Sequence, residues 1–102
     1  MAARGALMLS ERDNVATLLE DAARGSEVLV RLGKESQPVK ALEDIAFGFK
    51  IAMVDIVKGA HIVKYGEPIG LAARDIKKGE LVHIHNLEGA RGRGDLGKGD
   101  LR

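Results

Sequence analysis

The chain contains no cysteine and no tryptophan among its 102 residues, and aromatic residues make up only 3% of it. Without cysteine, disulfides, thiolate metal sites and thiol nucleophiles are all excluded, a composition that fits a reducing compartment. With two phenylalanines and one tyrosine, the core must be aliphatic, and few rings can stack on nucleic-acid bases. The net charge is only +1, so we expect neither a nucleic-acid partner nor a membrane partner.

Long hydrophobic runs are missing as well. No stretch approaches the ~18 apolar residues of a membrane span, and the beginning, "MAARGALMLS", has too short an apolar stretch for an export signal. Apolar residues still make up 45% of the chain, enough for a core in one domain of this length. We therefore expect a single soluble domain in the cytoplasm.

A short unit, Asp-x-x-x-Gly, recurs between apolar stretches. Its four copies lie at residues 21–25, 44–48, 55–59 and 75–79, and three of them read Asp-Ile-x-x-Gly. An Asp side chain can accept hydrogen bonds from nearby backbone N–H groups, and Gly supplies the positive φ that ends a tight turn. The spacings are too uneven for a solenoid. The units are therefore predicted to be structural turns, each a short helical turn whose apolar second residue packs on the core.

The segments between these turns predict strands. They are rich in Val and Ile and bounded by Gly or Pro, and the predicted strands are 15–19, 28–32, 61–65, 69–73 and 81–87. Residues 13–23 also suit a helix capped by Asp13, but comparison with the other copies favours a strand there. The expected fold class is mainly β: a small barrel or clip-like roll with short helical turns.

The composition changes abruptly near the end of the chain. The last fourteen residues, "GARGRGDLGKGDLR", alternate Gly with charged residues and cannot build a core. We therefore divide the chain into an N-terminal extension (1–12), a folded domain (13–88) and a flexible tail (89–102). The "RGD" within this tail is interpreted as a chance match. An RNA-binding arginine–glycine tail has weak support, and a docking arm for a partner subunit is at least as good an interpretation.

"ELVHIHN" contains two of the three histidines of the chain. On the predicted strand 81–87, His83 and His85 would share a face and could chelate one cation. Further ligands would have to come from His61, a carboxylate, the substrate or another polypeptide. Asn86 could orient a ligand oxygen from the strand end. Two incidental histidines on a solvent-facing strand are the alternative.

"KYGEPIG" contains the only tyrosine, with Gly and Pro residues that predict a hairpin turn. Lys64 and Tyr65 could contact an anionic substrate, and Glu67 could transfer a proton, but the motif alone favours a structural turn. The chain has no Ser-His-Asp order, phosphate-binding glycine loop or His-Glu-x-x-His motif. Any catalysis is therefore predicted to be shared with another chain.

Taken together, K-Y-G-x-x-I-G, D-I-x-x-G and V-H-x-H-N resemble the SAF (β-clip) domain of altronate and galactarate dehydratases. They are equally similar to the small α subunits of split relatives, including sulfolactate sulfo-lyase. The resemblance implies a β-clip domain at 13–88 in a lyase that removes water, or sulfite, from a hydroxy acid, usually with Fe²⁺. It also implies a large catalytic dehydratase-type subunit as partner and a sugar acid or sulfolactate as substrate.

Site residues follow from the same resemblance. Lys64, Tyr65 and Gly66 are carried over as the substrate-binding loop, and His83, His85 and Asn86 as the catalytic edge of a composite site, with both histidines as metal ligands. One departure is "GFKIA", where Phe49 stands in place of a histidine that is frequent in the family, although Lys50 is retained.

Three hypotheses remain open from the sequence. The first is the small subunit of a sugar-acid hydro-lyase, with the α subunit of a sulfolactate sulfo-lyase as its variant. The second is a binding module, since similar domains occur in antifreeze-like proteins, sialic acid synthase tails and pilus or flagellar assembly proteins. The third is a metal-free structural adaptor. The His-x-His-Asn segment favours the first.

Overall fold

The structure is a computed structural model, and it describes residues 5–83 and 85–89. Nine short strands and no helix occur within these ranges. The strands are β1 (Ala6–Met8), β2 (Val15–Leu18), β3 (Glu27–Leu32), β4 (Glu35–Lys40), β5 (Lys50–Ala52), β6 (His61–Lys64), β7 (Glu67–Ala72), β8 (Leu81–Val82) and β9 (Leu87–Glu88). None of the described segments forms a helix that could cross a membrane.

The strands form two sheets. One has six strands in the order β4-β3-β1-β2-β5-β8, and the other has three in the order β6-β7-β9. All neighbouring strands are antiparallel except β1 and β3, which are parallel. The small, mainly β fold predicted from the sequence is confirmed, and its architecture is consistent with a β-clip.

The four Asp-x-x-x-Gly units are type II β-turns. In each, the N–H of the residue after Gly donates to the carbonyl two residues before Gly, at 3.0 Å. The Gly occupies the third turn position with positive φ, +87° at Gly25 and +95° at Gly79, as a type II turn requires. The predicted helical turns are therefore wrong: the local hydrogen bonds close single β-turns that lead directly into strands.

These turns interlock in two pairs. In the first pair, Asp21 accepts a hydrogen bond from the backbone N–H of Phe47, and Asp44 accepts one from that of Arg24, both at 2.8 Å. The units 55–59 and 75–79 repeat the same exchange at 2.8 and 2.9 Å. Each pair is also joined by an isolated antiparallel β-bridge. The aspartates thus connect distant parts of the chain rather than closing their own turns.

Two aliphatic clusters form the core. The second residues of the paired turns contribute to both, because Ala22 and Ile45 are buried in the first cluster and Ile56 and Ile76 in the second. This confirms the prediction that they pack on the core. The six-stranded sheet separates the clusters. Ile51 of β5 belongs to the first cluster, and the next residue, Ala52, which points to the other face of the sheet, belongs to the second.

Strands predicted at 15–19, 28–32, 61–65 and 69–73 are confirmed to within two residues at each end. The strand predicted at 81–87 is wrong, because β8 ends at Val82 and β9 begins only at Leu87. Strand β1 lies within residues 1–12, which were predicted to be an extension, and it pairs with both β2 and β3. The domain boundaries stay predictions, and residues 90–102 of the tail lie outside the described residues.

Candidate functional site

The predicted hairpin turn at "KYGEPIG" is confirmed. Lys64 pairs with Glu67 across β6 and β7, leaving Tyr65 and Gly66 as a two-residue loop. Both loop residues have positive φ, +54° and +81°, which defines a type I′ turn. This turn usually carries Asn-Gly, and a tyrosine at its first position costs about 1 kcal/mol in backbone strain. The conformation of the turn therefore does not explain why a tyrosine occupies this position.

A buried carboxylate holds this hairpin in place. Asp13 is only 6% exposed, and its Oδ1 accepts a hydrogen bond from the Gly66 N–H at 2.7 Å. Its Oδ2 accepts bonds from the N–H groups of Leu9 and Ser10 at 3.0 and 3.2 Å. The Arg12 guanidinium adds a bond to the Gly66 carbonyl at 3.0 Å. The β1–β2 loop therefore fixes the position of the turn, which the sequence alone did not indicate.

Lys64 contacts the ring of Tyr65 in the turn, and its charge also acts on Lys50. The Lys64 Nζ lies 5.1 Å from the centre of the Tyr65 ring, within the range of a cation–π contact. Lys50, at the start of β5, is half-buried. Burial, followed by the nearby charge of Lys64, lowers the pKa of the Lys50 ammonium below its ordinary value of 10.5. The sequence marked Lys50 only as a retained family residue, because its neighbour Lys64 comes from a different sheet.

The histidine segment forms a turn. Its geometry is set by Asn86, which is completely buried: Oδ1 accepts the His83 N–H at 2.9 Å, and Nδ2 donates to the Leu81 carbonyl at 2.7 Å. The Asn86 N–H also donates to the His83 carbonyl at 3.0 Å. The side chain of Asn86 thus replaces the ladder bonds that would extend β8. Its predicted role toward substrate stays a prediction.

The two histidines lie in different environments. His83 is half-buried and stacks on Phe49, with ring centroids 4.3 Å apart and planes inclined by 18°. His85 is exposed in the turn. The expectation that they share a strand face is wrong, because neither His83 nor His85 lies in a strand. Phe49 is the packing partner of His83.

Lys50 and the stacked rings of Phe49 and His83 lie at the same end of the β5–β8 ladder, on opposite faces. Lys50 pairs with Val82 and shares its face, whereas Phe49 packs on the first cluster, on the other face. No hydrogen bond or ring contact in the described part of the chain joins the two groups. The same residues contain no cluster of three or more His, Asp or Glu side chains that could hold a metal ion.

An open cleft adjoins the stacked rings. It is lined by the first pair of turns and by two partly buried side chains, with Asp21, Asp44, Ile45, Phe49 and Leu81 among its walls. The sequence did not indicate this cleft, because its walls come from three separated segments, 21–23, 44–49 and Leu81. The apolar second residue of each Asp-x-x-x-Gly unit was the available sequence signal for an apolar wall.

Comparison with known proteins defines the class. Residues 4–90 match the family model described as the altronate/galactarate dehydratase SAF domain. The chain therefore belongs to this family, as the motifs predicted.

The relatives include altronate dehydratase of Escherichia coli (strain K12), 50% identical over 74 residues, which cover 72% of this chain and 14% of the relative. Altronate dehydratase of Bacillus subtilis (strain 168) is 39% identical over 82 residues, covering 80% and 16%. The (2R)-sulfolactate sulfo-lyase subunit alpha of Chromohalobacter salexigens is 36% identical over 47 residues, covering 46% and 50%. The chain thus spans about a sixth or less of the altronate dehydratases and half of the sulfo-lyase subunit.

Proposed function

We propose that this chain is the small SAF-domain component of a hydro-lyase that acts on a sugar acid of the altronate or galactarate type. A large catalytic subunit would complete its active site. The observation that carries the proposal is the Lys64–Tyr65–Gly66 turn, whose position is fixed by Asp13 and whose tyrosine ring lies 5.1 Å from the Lys64 ammonium. A cytoplasmic location stays a prediction.

The chemistry of such a reaction explains why cations are useful there. Dehydration of a hydroxy acid removes a proton α to the carboxylate and expels hydroxide, as water, from the β carbon. Negative charge builds up on the carboxylate as the α proton leaves, and fixed ammonium groups stabilise that charge. In this proposal Lys64 binds and orients the carboxylate, and His83 or His85 moves a proton at the edge of the shared site.

Iron is part of the family resemblance, and we keep it as a proposal for the assembled enzyme. The described residues do not fit an iron site by themselves, since they contain no cluster of three ligands, and His83 is stacked on Phe49. When bound, Fe²⁺ would supply a Lewis acid for the developing negative charge or the leaving group. No step assigned here to this chain depends on it.

The test is reconstitution with the large subunit, which we expect to be encoded in a neighbouring reading frame. Loss of water from altronate and galactarate would be measured with Fe²⁺ present. The double variant His83→Ala/His85→Ala is expected to abolish turnover while the domain still folds. Lys78→Ala is the control, because Lys78 is an exposed turn residue with no assigned role in the site. Full activity of the double variant would contradict the assignment of the histidines.

The second candidate is the α subunit of a sulfolactate sulfo-lyase. It is favoured by the similarity to such a subunit, of which this chain covers half. Release of sulfite from sulfolactate by the reconstituted enzyme, without dehydration of sugar acids, would establish it. A chain that binds its partner without either activity would instead be a non-catalytic SAF adaptor.

A further inference from the structure

Phe47 differs from the residues at the same position of the other three Asp-x-x-x-Gly units. The fourth residue of the unit is Arg24 in the first copy, Lys58 in the third and Lys78 in the fourth, but Phe47 in the second. All four residues are exposed, and Phe47 is 63% exposed. The fold therefore does not explain this phenylalanine, since the same turn forms with an arginine or a lysine at its place.

The cleft lined by the first pair of turns lies directly beside Phe47. The preceding residue, Ala46, is part of its wall, together with Ala23, Phe49 and Leu81. Its volume is about 500 Å³, within the range of about 300–1,000 Å³ for sites that hold organic groups. An exposed aromatic ring next to a mostly apolar cleft forms one continuous patch, and such patches mark interaction surfaces.

The charges of this surface fall into two complementary sets. The carboxylates of Asp21 and Asp44 belong to the walls of the cleft. Asp44 accepts a hydrogen bond from the backbone N–H of Arg24 at 2.8 Å, and Asp21 accepts one from that of Phe47 at 2.8 Å. Arg24 and Phe47 are thus exposed beside the cleft. The exposed groups are a cation and an aromatic ring, whereas the walls present carboxylates and apolar side chains.

We propose that this surface pairs two copies of the chain about a two-fold axis, with Phe47 of each copy inserted into the cleft of the other. A two-fold interface brings the same patch of both molecules together, so the patch has to be complementary to itself. This patch meets that condition, because it carries a ring beside a cleft of sufficient size, and a cation beside carboxylates. Reciprocal insertion would bring Arg24 of each copy toward Asp21 and Asp44 of the other.

The pairing is independent of the proposed function and rests on described residues of this chain alone. It has one consequence for the candidate site. Phe49 is part of the cleft wall and stacks on His83, so the inserted ring would pack beside that stack.

We expect a weak dimer. Two turns offer a small contact surface, and interfaces below about 1,200 Å² are typically those of transient complexes. The net charge of only +1 adds little repulsion between two copies. The chain should therefore exist in an equilibrium between monomer and dimer that shifts with protein concentration.

Sedimentation equilibrium of the 102-residue chain over a series of concentrations tests the pairing, and the average mass should rise toward that of a dimer. Phe47→Lys should weaken the dimer about tenfold or more, because a charged chain replaces the inserted ring. The variant should fold, since the third and fourth units carry lysine there. Val57→Lys is the matched control: Val57 is 66% exposed in the other pair of turns, and this variant should dimerise as the wild type does.

The contribution of charge is tested separately. Arg24→Glu should weaken the dimer several-fold, because like charges across an interface repel, and the loss should become smaller as salt is added. Lys58→Glu makes the same change of charge at the same position of the third unit and should have little effect.

Isotope-filtered NOE spectra of a mixture of labelled and unlabelled chains identify the contact. We expect NOEs between molecules from the Phe47 ring to the methyl groups of Ala23, Ala46 and Leu81. A chain that stays monomeric, or a well-folded Phe47→Lys variant that dimerises as the wild type does, would overturn the proposal. A monomeric chain whose cleft amides shift only when the large subunit is added would also overturn it and would assign the cleft to that subunit.

Discussion

The carboxylate of Asp13 binds the backbone N–H of Gly66, 53 residues further along the chain, at 2.7 Å. Through this bond the β1–β2 loop determines where the Tyr65–Gly66 turn lies. The loop is itself ordered by the same side chain, because Asp13 also accepts bonds from Leu9 and Ser10. One buried side chain thus positions the whole substrate-binding loop of the proposed site.

Replacing Asp13 with Asn should therefore destabilise the protein. Asn offers only one acceptor oxygen and presents an NH₂ group to backbone donors, so at least one N–H loses its partner. We expect a loss of about 2 kcal/mol in the free energy of unfolding, measured by urea denaturation. Glu11→Gln removes a neighbouring but exposed carboxylate and should have little effect. Equal effects of the two substitutions would contradict the role given to Asp13.

The paired turns allow a comparison of two glycines. Gly25 and Gly79 occupy the same turn position at φ +87° and +95°. A Cβ at Gly25 would meet nothing within 4 Å, whereas one at Gly79 would lie 2.3 Å from the Lys40 carbonyl oxygen. Gly25→Ala should therefore cost about 1 kcal/mol for the backbone conformation alone, and Gly79→Ala about 2–4 kcal/mol. Thermal and urea unfolding of the two variants would measure the difference, and equal losses would show that the contact at Gly79 relaxes freely.

Tyr65 is expected to lower the stability of the hairpin and to contribute to the activity of the reconstituted enzyme. Asn tolerates the left-handed conformation better than Tyr, so Tyr65→Asn should stabilise the hairpin by about 0.5–1 kcal/mol. The same change removes the ring under the Lys64 ammonium and should lower turnover of the reconstituted enzyme. Tyr65→Phe keeps the ring and should leave both properties close to those of the wild type. A less stable Tyr65→Asn variant, or one with full activity, would contradict this explanation for the tyrosine.

Local features of the fold could be predicted from the sequence. The Asp-x-x-x-Gly units predicted the turns, and the Val- and Ile-rich segments bounded by Gly or Pro predicted most of the strands, because both signals depend on neighbouring residues. Which turns pair with each other could not be predicted, since Asp44 binds the N–H of Arg24, 20 residues away. The helical form of the turns was wrong for a local reason, as Gly at the third position of a β-turn closes it before a helix can form.

The site shows the same division. The hairpin at Lys64–Glu67 was predictable from its Gly and Pro residues. The hydrogen bond from Gly66 to Asp13 and the electrostatic effect of Lys64 on Lys50 were not, because each joins residues far apart in the sequence. The strand across His83 and His85 was wrong because the side chain of Asn86 competes with the β-ladder for the N–H of His83. That competition is itself a local signal, since Asn favours turns.

Lys50 should make the stability of the protein depend on pH in a predictable direction. Its pKa is lower in the folded chain than the ordinary 10.5, so between the folded value and 10.5 the unfolded chain holds more protons than the folded chain. Stability therefore rises with pH across that window, and the charged lysine is destabilising at neutral pH. Lys50→Met should be more stable than the wild type near pH 7 and should lack this rise. Urea unfolding from about pH 7 to about pH 10 would measure it, with Lys78→Met retaining the rise as the control. Parallel pH profiles for the wild type and Lys50→Met would show that burial of the ammonium has no energetic effect.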